Sequence, residues 1–143
     1  MEFFFIGMIE NIEISKLKSG DVIFTTCHNI PLCYHLGIVI FEDGLPIVYN
    51  NTPNKKNKFG GNIVAEPLNE FFKNRKFIKI DSIGICPNYV REYSYQNRLE
   101  KWNALYFNCE DYVNDIIHCQ RKSKLRNTWQ LSLLVGIGVI IYS

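Results

Sequence analysis

The stretch Asn108-Cys109-Glu110-Asp111-Tyr112-Val113 decides how this sequence is interpreted, because it sets a cysteine at the predicted start of an amphipathic helix. Apolar residues at spacings i, i+1, i+4 and i+5, beginning at Tyr112, form one face of that helix. A helix N-terminus carries positive potential, which lowers the pKa of a thiol. The sequence therefore predicts a reactive thiol at Cys109. Its base need only be close in the fold, and His35 is the candidate.

The composition is that of one globular domain with a substantial core. The chain has 143 residues, of which 47% are hydrophobic and 14% aromatic, and its formal net charge is +2. This length predicts a single domain, and so small a charge gives no reason to expect nucleic acid as a partner. We predict a domain over residues 1–127 and a hydrophobic tail over residues 128–143.

The cysteines indicate a reducing compartment. Their number, five, is odd, and the apolar run from Met1 to Met8 lacks the basic start and the cleavage site of a signal peptide. We therefore expect free thiols and a cytoplasmic protein.

Strand patterns separated by turns fill the first half of the chain, and helices follow. The predicted strands cover residues 22–26, 35–41, 46–50, 62–66 and 76–80, with a hairpin turn at 42–44. The predicted helices cover residues 67–74, 89–106 and 109–119. This order predicts an α+β fold, with a small antiparallel sheet of four or five strands and the helices packed on one sheet face.

Three segments together resemble one superfamily of thiol enzymes. Leu17–Ile23 resembles the opening strand, and Tyr34–Ile40 the histidine strand, of the circularly permuted papain-like (NlpC-type) enzymes. Phe107–Asn114 resembles the asparagine-cysteine-glutamate motif of the lecithin:retinol acyltransferase-like branch. The histidine precedes the cysteine, as in the permuted relatives of papain. Over about residues 17–125, the resemblance implies a permuted papain-like catalytic domain.

The resemblance also implies roles for three side chains. Cys109 would attack an ester or amide carbonyl and form a thioester acyl-enzyme. His35 would take the thiol proton and then donate it to the leaving group. Where the family usually has a second histidine, this chain has Asn50, with Tyr49 as the neighbouring alternative. An asparagine can orient a histidine by accepting its ring N–H.

The oxyanion would be stabilised near the start of the same helix. The backbone N–H of Cys109 is one candidate donor, and Tyr34 and Asn108 are candidates for the oxyanion hole or the pocket. This chemistry requires no cofactor and no metal ion.

Two other interpretations of these residues stay open from the sequence. Cys27, His28, Cys33 and His35 offer two thiols and two imidazoles, which zinc could bind, and His35 would then not be the base. Cys109 could also be a buried structural cysteine, and His35 a histidine satisfied inside the sheet.

The C-terminal tail suggests a membrane surface as a partner. Residues 131–142 are apolar and uncharged, although a spanning helix needs roughly 20 residues. Arg121, Lys122, Lys124 and Arg126 precede them and would suit an anionic cytoplasmic surface. The alternative is a segment that packs on the core of the domain.

These patterns give a leading hypothesis and two alternatives. The first is a thiol hydrolase or acyltransferase that acts on a lipid ester or amide. The second is a cysteine peptidase or amidase that acts on peptide or isopeptide bonds, since the same groups serve both reactions. The third is a catalytically inactive, membrane-associated binding module, in which Cys109 reacts no faster than Cys27 or Cys86.

Overall fold

An antiparallel sheet of five strands organises the computed structural model, which describes residues 14–27, 34–53, 55, 60–104 and 106–119. The strand order in the sheet is β4-β3-β2-β1-β5, and each neighbouring pair is antiparallel. The strands are β1 (Asp21–Thr26), β2 (Tyr34–Glu42), β3 (Leu45–Asn51), β4 (Ile63–Pro67) and β5 (Phe77–Ser82).

Three α-helices accompany this sheet within the described ranges. They are α1 (Leu68–Phe72), α2 (Pro87–Gln96) and α3 (Cys109–His118), and a short 3-10 turn (Ile14–Lys16) precedes β1. The predicted α+β class with a small antiparallel sheet is confirmed.

Alternation along the strands gives the sheet two apolar faces. The α3-side cluster contains Val22, Leu36, Ile38, Ile40, Ile63, Val90, Phe107, Cys109, Tyr112, Val113 and Ile116. The α1-side cluster contains Leu17, Ile23, Val39, Val48, Leu68, Phe71 and Phe72. Because successive side chains of a strand point to opposite faces, β2 contributes to both clusters.

The helices therefore cover both faces of the sheet, and the prediction that they pack on one face is wrong. The short helix α1 packs its buried residues, Leu68, Phe71 and Phe72, against Val39 and Val48. Hydrophobic spacing identifies the apolar side of a helix, but it carries no information about which sheet face that side will meet.

Helix α2 ends at Gln96, ten residues before the predicted end of that helix. The Asn97 side chain donates to the Tyr93 carbonyl oxygen at 2.9 Å and helps to close the last turn. The chain then runs against Gly61, where an added Cβ would lie 2.0 Å from the Arg98 carbonyl oxygen. Tertiary contact with this glycine replaces the helix that the local pattern favours.

Strands β2 and β3 separate at one end, and α3 begins there. Their hairpin turns through Asp43 and Gly44, both with positive φ, as a two-residue hairpin loop of the primed type requires. Pairing extends from Glu42 to Ile38 on β2, while β3 continues beside β4 as far as Asn51. The Asn51 side chain donates to the Phe107 carbonyl oxygen at 2.8 Å, which ties the approach to α3 to the end of β3.

The cysteines differ from the expectation of free thiols. Cys86, Cys109 and Cys119 are free, whereas Cys27 is disulfide-bonded. The proposed nucleophile thus carries a free thiol.

The membrane prediction falls on residues that the structure does not describe. The tail over residues 128–143 and the basic cluster before it lie outside the described ranges. Within those ranges, every helix is too short or too polar to cross a membrane.

Candidate active site

A capping box fixes the start of α3 at Cys109. The Asn108 side-chain oxygen accepts from the backbone N–H groups of Glu110 at 2.9 Å and Asp111 at 3.0 Å. The Asp111 carboxylate in turn accepts from the Asn108 backbone N–H at 3.1 Å. These reciprocal bonds satisfy donors that a helix N-terminus otherwise leaves unpaired. Cys109 is consequently the first helical residue.

Asn108 has a structural role in this arrangement. Its side-chain oxygen caps α3, and its side-chain N–H donates to the Ala104 carbonyl oxygen at 3.0 Å. The structure therefore uses this predicted pocket residue to hold the helix start. The backbone N–H of Cys109 takes no part in the cap and stays the better candidate for an oxyanion donor.

The Cys109 sulfur lies against the edge of β2 that β3 leaves unpaired. Its thiol donates to the Tyr34 carbonyl oxygen at 3.6 Å, and the Leu36 backbone N–H also hydrogen-bonds to the sulfur. Residues 34 and 36 present their backbone groups to the same strand edge. The sulfur is thus held by the backbone on both sides of His35, while the Tyr34 side chain is 52% exposed.

Burial controls the charge state of the Cys109 thiol. Only 9% of the residue is exposed, and this desolvation raises the pKa of Cys109 to about 11. The Glu110 carboxylate also raises that pKa, whereas the backbone N–H groups of Leu36 and Glu110 and the Arg75 guanidinium oppose the rise. At neutral pH the group is therefore a thiol, and burial outweighs the favourable field of the helix N-terminus.

His35 projects from the same stretch of β2 toward the α1 face. Its Nε2 lies 3.1 Å from the Asn50 side-chain oxygen, and its ring stacks on Phe71 with 5.3 Å between centroids. Desolvation, followed by repulsion from the Arg75 guanidinium, lowers the pKa of His35 to about 3, although the bond to Asn50 opposes this. His35 is consequently a neutral imidazole at pH 7.

The structure brings His35 and Asn50 together and leaves the neighbour Tyr49 elsewhere. Asn50 is fully buried, and it faces the α1 side because it lies two residues after Val48 of the α1-side cluster. Tyr49 faces the opposite side, and its hydroxyl donates to the Glu42 carboxylate at 2.7 Å. Of the two residues offered by the sequence, Asn50 is the one that contacts the histidine.

Two charged residues near His35 were not anticipated. The Asn50 side-chain N–H donates to the Glu66 carboxylate at 3.0 Å, and Glu66 forms an ion pair with Lys55. Arg75 donates to the Phe71 carbonyl oxygen at 3.0 Å and acts electrostatically on both His35 and Cys109. The register of β4 beside β3 sets Glu66 opposite Val48 and so diagonal to Asn50 on the same face, and sequence spacing alone does not fix that register.

The Cys109 sulfur contacts the backbone of the residues on either side of His35, and no hydrogen bond joins it to the His35 ring among the described residues. In the described part of the chain, the hydrogen bonds of the Cys109 thiol go to backbone groups, and that of the His35 ring goes to Asn50. With Nε2 engaged, Nδ1 is the nitrogen that His35 has left for a thiol or a substrate.

The zinc interpretation loses one of its ligands. Cys27 is disulfide-bonded and so cannot supply a thiolate, and His28 and Cys33 lie outside the described residues. Over the described ranges, no group of three or more ligand-type side chains is arranged to hold a metal ion.

No family model, curated protein or solved structure matches this chain.

Proposed function

We propose that this protein is a cysteine-dependent acyl-handling enzyme of the permuted papain-like type. In this proposal it is a thiol hydrolase or acyltransferase that acts on a lipid ester or amide. The observation that carries the proposal is the position of the Cys109 thiol. It occupies the first residue of a capped helix and lies against the backbone on both sides of His35, whose Nε2 is held by Asn50.

The proposed reaction has two halves. In the first, Nδ1 of His35 takes the proton of the Cys109 thiol while the sulfur attacks the substrate carbonyl carbon. The Cys109 backbone N–H and the positive end of α3 stabilise the oxyanion. The intermediate collapses to a thioester, and the leaving alcohol or amine takes the proton from His35. In the second half, water or an acceptor hydroxyl or amine loses its proton to His35 and attacks the thioester carbonyl carbon. The carbon–sulfur bond then breaks, the acyl group leaves on the acceptor, and His35 returns the proton to the Cys109 sulfur.

The resting site has to open before this chemistry begins. Cys109 is buried, and its thiol is engaged with the Tyr34 carbonyl oxygen. With the pKa of Cys109 raised to about 11 and that of His35 lowered to about 3, the uncharged pair is strongly favoured over a thiolate–imidazolium pair. We expect substrate to displace the Tyr34 contact and to admit polar groups that reduce the desolvation of both residues.

The same burial favours a second candidate, the catalytically inactive binding module. A thiol that is satisfied by backbone groups and whose pKa is raised to about 11 has the properties of a structural cysteine. In that function the His35–Asn50 pair would serve only to satisfy buried polar groups.

Trapping of the acyl-enzyme separates these candidates. The full chain is incubated with medium- and long-chain acyl esters, a phospholipid in mixed micelles and peptide esters, and the intact mass is measured. We expect an acyl adduct on Cys109 that hydroxylamine removes. The adduct should be absent from Cys109→Ala and greatly reduced in His35→Gln.

Matched controls come from the other free thiols. Cys86 and Cys119 are both exposed, so Cys86→Ala and Cys119→Ala should acylate at the parent rate. Acylation by peptide esters but by none of the lipids would favour the peptidase or amidase. Parent protein that forms no adduct with any of the three classes would leave the binding module as the better description.

A further inference from the structure

A chain of buried polar contacts connects a lysine ammonium to the proposed base. Lys55 is ion-paired with Glu66, whose other carboxylate oxygen accepts from the Asn50 side-chain N–H at 3.0 Å. The Asn50 side-chain oxygen lies 3.1 Å from Nε2 of His35. Glu66, Asn50 and His35 are 7%, 0% and 5% exposed, so water is largely excluded as a competing partner.

Glu66 is the closer of two acceptors that set which way the Asn50 amide points, the other being the Val48 carbonyl oxygen at 3.5 Å. An ionised carboxylate only accepts hydrogen bonds, so it must face the NH₂ group of the amide. The amide oxygen then has to point away from Glu66, toward His35. This orientation follows from the chemistry of the partners and does not depend on telling oxygen from nitrogen by position.

The amide orientation in turn determines where the His35 proton lies. An amide oxygen can only accept, so Nε2 of His35 must carry the hydrogen. A neutral imidazole has one N–H, and burial keeps this ring neutral by lowering the pKa of His35 to about 3. Nδ1 therefore holds the lone pair.

We propose that Glu66 is a positioning residue that fixes His35 as the Nε2–H tautomer and so makes Nδ1 its basic nitrogen. The tautomer follows from the contacts of the Asn50 amide with Glu66, Val48 and His35 and from the neutral state of the buried ring. Its catalytic consequence, that Nδ1 accepts the Cys109 proton, rests on the proposed function.

The substitution Glu66→Gln should reverse the whole chain of contacts. Lys55 has only donors, so the introduced amide is expected to turn its oxygen toward the ammonium and its NH₂ toward Asn50. Asn50 would then present its oxygen to that NH₂ and its own NH₂ to His35. Nε2 would become an acceptor, and the proton would move to Nδ1.

Nitrogen NMR measures the tautomer directly. Long-range proton–nitrogen spectra of the uniformly ¹⁵N-labelled full chain at pH 7 distinguish protonated from unprotonated ring nitrogens. His35 is assigned by comparison with His28→Gln and His118→Gln. We expect Nε2–H in the parent and predominantly Nδ1–H in Glu66→Gln.

Two variants serve as matched controls. Glu70→Gln removes the other carboxylate near Lys55, which lies 4.0 Å from its ammonium and is 45% exposed, without touching Asn50. Lys55→Met removes the ammonium but keeps the Glu66 carboxylate as an acceptor. Both should retain Nε2–H.

The outcomes decide the inference even if Glu66→Gln does not fold. Predominant Nδ1–H in the parent, or in Lys55→Met, would overturn it, and so would an unchanged tautomer in folded Glu66→Gln. Nε2–H in the parent and both controls, with reversal in Glu66→Gln, would support it.

The acylation rate of Cys109 distinguishes this inference from the proposed function. Acylation that falls by about 100-fold together with the reversed tautomer would support Nδ1 as the base. If the tautomer reverses while acylation is unchanged, Glu66 still positions His35, but His35 is not the base and the proposed reaction is wrong.

Discussion

Cys109 and His35 show how one environment acts on two ionisable groups at once. Burial disfavours the charged form of each, so the pKa of the thiol rises and that of the imidazole falls. Arg75 has opposite consequences for the two residues. Its positive charge favours the thiolate of Cys109 and disfavours the imidazolium of His35.

Replacement of Arg75 should therefore move both groups. In Arg75→Gln, we expect the pKa of Cys109 to rise above about 11 and that of His35 to rise above about 3. The pH dependence of Cys109 alkylation, followed by mass spectrometry, reports the thiol. Arg91→Gln, which removes an arginine that pairs with Glu42, is the control and should leave the profile unchanged. A parental profile in Arg75→Gln would contradict this account.

The lowered pKa of His35 also makes stability depend on pH. Its folded pKa of about 3 lies below the value of 6.5 expected when the chain is unfolded, so the unfolded state binds the extra proton between these values. The free energy of unfolding should fall as the pH drops below 6.5, by up to about 1.4 kcal/mol per pH unit from this group.

Urea unfolding between pH 7 and pH 5 checks the sign and size of this effect. His35→Gln has no group that titrates at this position, so its stability should fall less over the same interval. If the free energy of unfolding has the same pH slope in the parent and in His35→Gln, then His35 does not contribute to the pH dependence of stability, and this prediction is wrong.

At the scale of elements, the cap of α3 links stability to thiol access. Removal of a capping side chain costs about 0.5–2 kcal/mol. Asn108→Ala should lose stability in this range and should also speed Cys109 alkylation, because the first turn that holds the thiol becomes free to fray. Asn88→Ala changes an exposed asparagine on α2 that contacts Arg91, and both quantities should stay near parental values. If Asn108→Ala loses stability while Cys109 is alkylated at the parental rate, the cap does not control access to the thiol.

The strands and helices also indicate what the sequence could and could not predict. Alternation and turn residues predict the ends of all five strands to within two residues, because the two-residue period of a strand is visible in the local sequence. The end of α2 and the face covered by α1 depend on contacts with distant residues, which local periodicity does not encode. The motif and the resemblance single out Cys109, His35 and Asn50 as candidates, whereas no motif marks Glu66 or Arg75.

For the whole molecule, the described core lies within the predicted domain. Both clusters are built from residues between Leu17 and Ile116, on the two faces of one sheet. We therefore expect a chain that ends at residue 127 to unfold in one cooperative transition near the parental melting temperature. A drop of more than about 5 °C, which corresponds to about 1 kcal/mol, would mean that the tail contributes to the core.

The same truncated chain tests the membrane hypothesis. On sedimentation with vesicles that contain anionic lipid, the full chain should be found in the pellet with the vesicles, and the truncated chain should stay in the supernatant. If both chains sediment with the vesicles, the domain itself binds the membrane. If neither chain does, the membrane is not a partner.

The separation of β2 from β3 has a consequence for how the chain reaches its native state. Strands β1, β2 and β3 form by short connections, but the bond from Asn51 to the Phe107 carbonyl closes a loop of 56 residues. Long-range closure costs more chain entropy, so the junction at α3 should form late on the folding pathway. Until then the thiol of Cys109 is open to oxidation and to mispairing. During refolding, the time at which Cys109 becomes protected from a pulse of alkylating reagent should therefore report when the junction at α3 forms.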